Sequence, residues 1–148
     1  MGSLMRRGAV AAGAAVVLLS PAVGGAPLAA AAQAVSGGTW GTAIEVPGTA
    51  ALNTGGAAQV YSVSCAAAGS CGAGGYYTDG SGHGQAFVAS QVNGSWGAAI
   101  EVPGTAALNT GSFARVNTMS CAAAGTCSAG GSYSDSSGHG QAFVASQN

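Results

Sequence analysis

The chain of 148 residues is long enough for one domain or two small ones, and it contains 27 glycines but only 5% charged residues. Downstream of residue 33, four acids outnumber the single strong cation, Arg115, which gives a formal charge of −3. Proteins that bind DNA or RNA normally present a basic surface that displaces counterions from the phosphates. We therefore expect no nucleic-acid partner.

The N-terminus is typical of a secretory signal peptide, which we place at residues 1–32. Arg6 and Arg7 provide the positive n-region, and residues 8–19 form an uncharged h-region of twelve residues. A membrane-spanning helix needs about 20 apolar residues, so a retained anchor is the weaker interpretation. This pattern predicts a secreted, extracellular protein that has no membrane contact once the signal is cleaved.

The predicted cleavage site is the A-x-A sequence that ends at Ala32, and cleavage after Ala34 is the alternative. Residues 33–39 follow as a short segment rich in small and polar residues. We interpret this segment as a flexible linker that leads into the mature domain at residues 40–148.

An internal duplication with an offset of 56 residues accounts for the rest of the chain. Residues 40–92 and 96–148 are identical at 40 of 53 aligned positions, with the second repeat beginning at about residue 96. Six of the thirteen differences cluster where residues 56–63 align with residues 112–119. This divergent strand is a candidate contact surface if the two repeats have different partners, although random drift explains the clustering equally well.

Each repeat carries the signals of four β-strands. In the first repeat we predict strands at Ala58–Ala66, Cys71–Thr78, Gly84–Val92 and Trp96–Val102. Asn93-Gly94 separates the last two, and it favours a tight hairpin because both residues tolerate positive φ. A period of 56 residues suits one four-stranded propeller blade, which has about 40–50 residues in known families. The expected fold class is therefore all-β, with two blade-like repeats.

The second repeat reaches Asn148 where its fourth strand is expected, and the equivalent segment is found at Trp40–Pro47. We expect Trp40–Pro47 to complete the second blade in a permuted closure, within one molecule or between neighbours. Since known propellers have about four to eight blades, the two hypotheses are a six-bladed ring of three copies and an open pair of sheets. Deletion of residues 36–48 is then expected to destabilise the second unit more than the first.

The sequence resembles two kinds of β-propeller repeat. Gly74-Gly75, Phe87 and Trp96 resemble the kelch blade pattern, in which a glycine pair precedes spaced aromatic residues. The second copy of this pattern comprises Gly130-Gly131, Phe143 and, from the other end of the domain, Trp40. The segments SCAAAGSCGAGGYY and SCAAAGTCSAGGSY resemble mostly uncharacterised secreted bacterial repeat proteins with the motif V-S-C-x-x-x-G-x-C-x-x-x-G. The resemblance covers about residues 40–148 and implies a propeller-like fold without indicating an activity.

The four cysteines occur as two C-x5-C pairs. In an exported chain an even number of cysteines indicates disulfides. Of the three pairings that four cysteines allow, the repeat favours Cys65–Cys71 and Cys121–Cys127, each within one unit. Closure of so short a loop is worth about 2 kcal/mol of stability.

The acid–histidine pairs of the chain are Asp79 with His83 and, in the second repeat, Asp135 with His139. A metal site or an acid/base pair would use such residues, but both pairs lie on Gly/Ser-rich turns, where aspartate ordinarily bonds backbone amides. A metal usually needs at least three ligands, and Ser81 lies in no nucleophile-elbow sequence. We therefore expect no catalytic residue, no metal, no cofactor and no enzymatic activity.

Two tryptophans and two glutamates form the remaining candidate ligand-binding set: Trp40, Trp96, Glu45 and Glu101. The architecture is similar to that of secreted two-blade lectins that trimerise into six-bladed rings, in which a tryptophan and an acid help to hold a sugar. The alternative is that tryptophan only packs on an outer strand.

From these observations we predict a non-catalytic extracellular binding or structural repeat module. The alternatives are a lectin-like oligomeric propeller and a fragment of a longer secreted repeat protein or hydrolase. The candidate partners are a carbohydrate or cell-surface polymer and further copies of the chain, as a homo-oligomer.

Overall fold

A computed structural model describes residues 38–147 of the chain. The predicted signal peptide, its cleavage site and most of the predicted linker lie outside the described residues. The chain divides into one unit that ends at Trp40 and a second unit that begins at Gly41. Within residues 38–147, no helix is long and apolar enough to cross a membrane.

The first of two antiparallel sheets belongs to the first repeat. Its strands are β1 (Ala58–Ala67), β2 (Ser70–Thr78), β3 (Gly84–Val92), β4 (Ser95–Trp96) and β5 (Ile100–Glu101). They follow one another in the order β1-β2-β3, and both short strands pair with β3. The one-turn helix α1 (Thr49–Leu52) precedes this sheet.

The second sheet repeats the same plan with three strands in the order β6-β7-β8. These are β6 (Ala114–Ala123), β7 (Thr126–Ser134) and β8 (Gly140–Ser146), preceded by the one-turn helix α2 (Thr105–Leu108). Its strand register reproduces that of the first sheet, since Cys121 is opposite Cys127 as Cys65 is opposite Cys71. The predicted all-β class is confirmed.

Three of the four predicted strands of the first repeat form almost as expected, and the fourth is interrupted. The predicted strand at Trp96–Val102 is divided into β4 and β5. Gly97 N–H still donates to the carbonyl of Ser90 on β3 at 2.8 Å, but Ala99 N–H donates to the carbonyl of Pro47 at 2.7 Å. The chain therefore leaves the ladder of β3 after Gly97 and pairs with it again at Ile100.

Both predicted disulfides, Cys65–Cys71 and Cys121–Cys127, are confirmed. Each joins directly opposite residues of a hairpin whose two-residue turn ends in a glycine with positive φ, 75° at Gly69 and 73° at Gly125. A left-handed conformation favours glycine, so the AAAG sequence allows the two strands to reverse immediately beyond the cysteines. Paired cysteines of this kind are typical of proteins that fold in an oxidising environment.

The main core lies between the two sheets. Two of its buried residues come from the first sheet, Ala86 on β3 and Val102 just after β5. The other four come from the second sheet: Ala114, Val116, Ala129 and Phe143. The sheets can approach closely because β2 presents Gly72 and Gly74 to the side chains of Met119 and Val116. A β-carbon at either glycine would collide with the side chain above it.

A second, smaller core covers the opposite face of the first sheet. Its buried members are Tyr77, Phe87, Ala89 and Ala99, and Val46, Leu52 and Trp96 pack against them. Residues 46–52 are thus held on the first sheet, and the carbonyl of Pro47 also accepts the hydrogen bond from Ala99.

The predicted permuted closure of the second sheet by Trp40–Pro47 is wrong within one chain. Residues 38–46 form no strand, and β8 pairs only with β7 in the part of the chain that the structure describes. The physical reason is that Val46 and Pro47 are anchored on the first sheet. Deletion of residues 36–48 should therefore weaken the first sheet more than the second, the reverse of the expectation from sequence.

The close approach of the sheets at Gly74 can be tested with a matched pair of variants. A β-carbon in Gly74→Ala would lie 2.7 Å from Cγ1 of Val116, so we expect a loss of about 1–3 kcal/mol in the free energy of unfolding. Its equivalent, Gly130→Ala, would meet only the methyl group of Thr118 at 3.3 Å, and should change stability by less than about 0.5 kcal/mol. Equilibrium denaturation of dilute, disulfide-intact protein measures both. Equal losses would contradict this packing of the sheets.

Candidate functional site

A cavity of about 600 Å³ lies between the two sheets, next to the edge strands β4 and β5. One wall comes from the first sheet and includes Val88, Trp96 and Ile100, and the other comes from the second sheet and includes Met119 and Ala129. The polar residues of the lining are Ser90, Ser95, Ser146 and Gln147. No charged side chain is among the described residues that line it. Its size and mainly apolar lining are typical of small-molecule sites.

The predicted Asn93-Gly94 hairpin places Trp96 at this cavity. Asn93 and Gly94 have φ of 50° and 82°, as a tight hairpin turn requires, and Trp96 therefore lies opposite Gln91 on β3. The side-chain amide of Gln91 donates to the carbonyl of Gly94 at 3.0 Å and holds the turn. Trp96 is half-buried, with part of its ring against the smaller core and part at the cavity.

Three hydrogen bonds join the two sheets at or near the cavity. Gln147 Nε2 donates to Ser90 Oγ at 3.1 Å across the cavity. The backbone N–H groups of Met119 and Cys121 each donate at 3.0 Å to a serine hydroxyl of β1, Ser62 and Ser64 respectively. A cavity fixed in this way is formed before a ligand arrives, which lowers the entropic cost of binding.

Of the predicted ligand-binding residues, Trp96 lines the cavity but Glu101 does not. Ile100 and Glu101 are neighbours on a strand and so point to opposite faces, with Ile100 on the cavity side. Glu101 instead accepts hydrogen bonds from the hydroxyls of Tyr77 and Thr105, both at 3.4 Å. Burial, and then the negative charge of Glu101, raise the pKa of Tyr77 to about 12.

The other predicted pair, Trp40 and Glu45, is not among the described residues that line this cavity. Trp40 is fully exposed and belongs to the N-terminal unit. Glu45 accepts a hydrogen bond from the Thr49 hydroxyl at 2.9 Å and lines a second, more open concavity of about 630 Å³. Val60 and Phe87 also line this concavity, which lies on the face of the first sheet that is turned away from the second.

Sequence reasoning missed most of the cavity lining, including Ser90, Met119 and Gln147. None of these residues belongs to a recognisable motif, and they come together only because two sheets pack across one another. One signal was present in the sequence, since Met119 belongs to the segment in which the two repeats diverge.

The turn that carries Asp79 is stabilised by the aspartate itself. Asp79 Oδ1 accepts from the backbone N–H groups of Ser81 at 2.8 Å and His83 at 3.0 Å. Its Oδ2 accepts from Nε2 of Gln85 at 2.8 Å. The hydrogen bond from Gln85, followed by that from His83 N–H, lowers the pKa of Asp79.

The turn at Asp135 has the same arrangement. Its carboxylate accepts from the N–H groups of Ser137 and His139, both at 2.9 Å, and from Nε2 of Gln141 at 3.0 Å. The bond from Gln141, then that from His139 N–H, lowers the pKa of Asp135. The imidazole of His139 lies 3.8 Å from the carboxylate and is largely exposed. Within residues 38–147, no group of three or more potential ligands could hold a metal ion.

The two turns predict how stability depends on pH. A carboxyl group whose pKa is lowered by folding stabilises the folded state above its unfolded pKa, near 4, and that contribution is lost as the pH falls toward the lowered value. The double variant Asp79→Asn, Asp135→Asn should therefore lose less stability than the original protein between about pH 5 and pH 2. Thermal unfolding across that range measures this, and parallel pH profiles would rule out the carboxylates as the cause.

Comparisons of the chain with protein-family models, curated protein sequences and solved structures found no match. The kelch-like resemblance stays a prediction, and the candidate site is defined by its geometry.

Proposed function

We propose that the chain is a non-catalytic extracellular binding module of two propeller-like repeats, and that the cavity between the sheets holds its ligand. The observation that carries this proposal is the preformed, mainly apolar cavity of about 600 Å³ with Trp96 in its wall. The disulfides and the predicted signal peptide support export. The packing of one sheet face to face on the next supports the comparison with propeller blades.

The chemistry of the lining favours a neutral, mainly apolar ligand. Burial of such a ligand against Val88, Ile100 and Met119 would be driven by the removal of apolar surface from water. The hydroxyl of Ser90 and the amide of Gln147 can orient one or two polar groups of the ligand. A charged ligand would lose its hydration without gaining an opposite charge, since none lines the described cavity.

A neutral carbohydrate is the second candidate, and the observation that favours it is the position of Trp96. Its indole ring lines the cavity together with the hydroxyl-bearing residues Ser90 and Ser95. An aromatic face with nearby hydrogen-bonding groups suits the apolar side of a sugar ring. The carboxylate expected to help hold the sugar, that of Glu101, is directed to the opposite face of the strand.

The two tryptophans provide a matched test of the cavity. We expect Trp96→Ala to weaken binding of the neutral fluorescent probe N-phenyl-1-naphthylamine by at least about tenfold, because the ring forms part of the wall. Trp40→Ala should leave the affinity unchanged, because Trp40 is fully exposed and lines neither concavity. Fluorescence titration measures both, and circular dichroism of each variant verifies folding.

A panel of neutral soluble oligosaccharides, titrated against the same two variants, separates the two ligand classes. Binding of the naphthylamine that depends on Trp96 supports an apolar ligand, and binding of a sugar with the same dependence supports a carbohydrate. If Trp96→Ala binds every probe as the original protein does, the cavity is not the ligand site.

A further inference from the structure

The two sheets differ in what covers their faces. The second sheet packs one face on the first sheet and leaves the other open to solvent, and Val144 on its edge strand β8 is 88% exposed. We call this open side the outer face, formed by Thr118, Ser120, Ser128, Gly130, Ala142 and Val144. On β3 the equivalent of Val144 is Val88, which packs against the main core.

The open concavity on the first sheet is an empty copy of a groove that is filled elsewhere in the same chain. We call it the groove, and among its lining residues are Val46, Asn53, Ala58, Val60 and Phe87. The residues one repeat later are all buried, namely Val102, Asn109, Ala114, Val116 and Phe143. Val116, for example, is 0% exposed, whereas its equivalent Val60 is 39% exposed.

The filled groove is occupied by β3 of the first sheet. Val102 N–H donates to the carbonyl of Ala86 at 2.9 Å, and Asn109 Nδ2 donates to the carbonyl of Gly84 at 2.9 Å. Strand β5 also pairs with β3, so that Ile100 lies opposite Val88. By the 56-residue offset, the strand that fits the empty groove is β8, the equivalent of β3.

We propose that the outer face of one chain docks into the groove of a second copy, head to tail. This contact continues the interface already established between the two sheets of one chain. Val46 N–H of the second copy would donate to the carbonyl of Ala142, and Ile44 of that copy would pair with Val144. Val144 is 88% exposed in the single chain, whereas its equivalent Val88 is half-buried, so the contact removes apolar surface of Val144 from water.

The same contact explains the predicted permuted strand. Residues Ile44–Glu45 of the second copy would add to the open edge of β8 as Ile100–Glu101 add to the edge of β3. The closure that is wrong within one chain is thus satisfied between two chains. Addition of a strand also pairs the free backbone groups of an exposed edge.

The sequence differences between the repeats match the two interfaces. Within the chain, Gly72 leaves room for Met119. At the proposed contact the equivalent pair is Ser128 with Val63. Ser128 is larger than Gly72, and Val63 is smaller than Met119, so the two changes offset each other. Because both members of the pair change together, the space between the sheets stays filled.

A second set of differences follows the same rule. Within the chain, Tyr76 packs on Phe113 and the guanidinium of Arg115 lies 5.5 Å from the centre of the Tyr61 ring. At the proposed contact the equivalents are small or polar: Ser132 with Ala57, and Gln59 with Asn117. The aromatic residues of the contact within the chain are thus replaced by small or polar residues on both faces of the proposed contact.

One of the two glycines that allow the close approach of the sheets is retained, together with the hydroxyl groups. Gly74 beneath Val116 becomes Gly130 beneath Val60, and the hydroxyls that accept from β6 within the chain are present again as Thr118 and Ser120. A head-to-tail contact of this kind closes into a ring if the rotation permits and otherwise extends into a filament.

Sedimentation velocity of the disulfide-intact protein, from about 1 to 200 μM, tests the proposal. We expect the original chain to form species larger than the monomer as its concentration rises. Val144→Asp alters the outer face and Val63→Asp alters the groove side of β1, and each alone should weaken association at least tenfold. An equimolar mixture of the two variants should form a 1:1 dimer and nothing larger, because only one competent pair of faces remains.

Two further variants serve as controls. Ala124→Asp adds the same charge to the exposed β6–β7 turn and should leave association unchanged. Gly130→Ala should weaken association while retaining the stability of the single chain, since its new methyl group would meet Val60 of the second copy. Circular dichroism confirms that each variant is folded.

A strict monomer at every concentration overturns the proposal, as does a mixture of the two variants that fails to form dimers. The outcome is independent of the proposed function, because the ligand cavity lies within one chain. Val144→Asp should bind N-phenyl-1-naphthylamine as the original protein does, whereas Trp96→Ala should lose the probe and still associate.

Discussion

The structure depends on the close approach of two sheets at a pair of glycines. Gly72 and Gly74 remove the side chains that would hold the sheets apart, and Met119 and Val116 occupy the space. This contact matters more here than in most domains because the main core consists largely of alanine and valine, which bury little area for each residue. Close packing of small residues and the two disulfides together replace a core of large side chains.

The cavity between the sheets follows from the way the first sheet ends. Beyond the hairpin at Asn93-Gly94, the chain returns along β3, leaves it after Gly97 and rejoins it at Ile100. The interrupted edge leaves a space between the sheets, with Trp96 on one side and Met119 on the other. Glu101 points to the opposite face of β5 from Ile100 and accepts from Tyr77, so the described lining of the cavity contains an aromatic ring without a carboxylate.

Local features were predictable from the sequence, and contacts between the sheets were not. Alternation and turn residues predicted three strands of the first repeat and the Asn93-Gly94 hairpin, because each depends on near neighbours in the chain. The repeat predicted the disulfides for the same reason. The position of Pro47 could not be read from sequence similarity, since Trp40–Pro47 and the segment at Trp96 are nearly identical but have different neighbours. The interruption after Gly97 also depends on the hydrogen bond between Ala99 and Pro47. Since the interruption helps to determine which residues line the cavity, the lining could not be predicted from the sequence either.

Amide hydrogen exchange tests the central claim, that one repeat packs face to face on the next, most directly. The N–H groups of Met119 and Cys121, on the edge strand β6, donate to hydroxyls of the first sheet, whereas within residues 38–147 no hydroxyl accepts from their equivalents Val63 and Cys65 on the edge strand β1. In a dilute, monomeric sample, exchange measured by NMR should be markedly slower at Met119 and Cys121 than at Val63 and Cys65. Equally fast exchange at all four amides would contradict the packing of the two sheets.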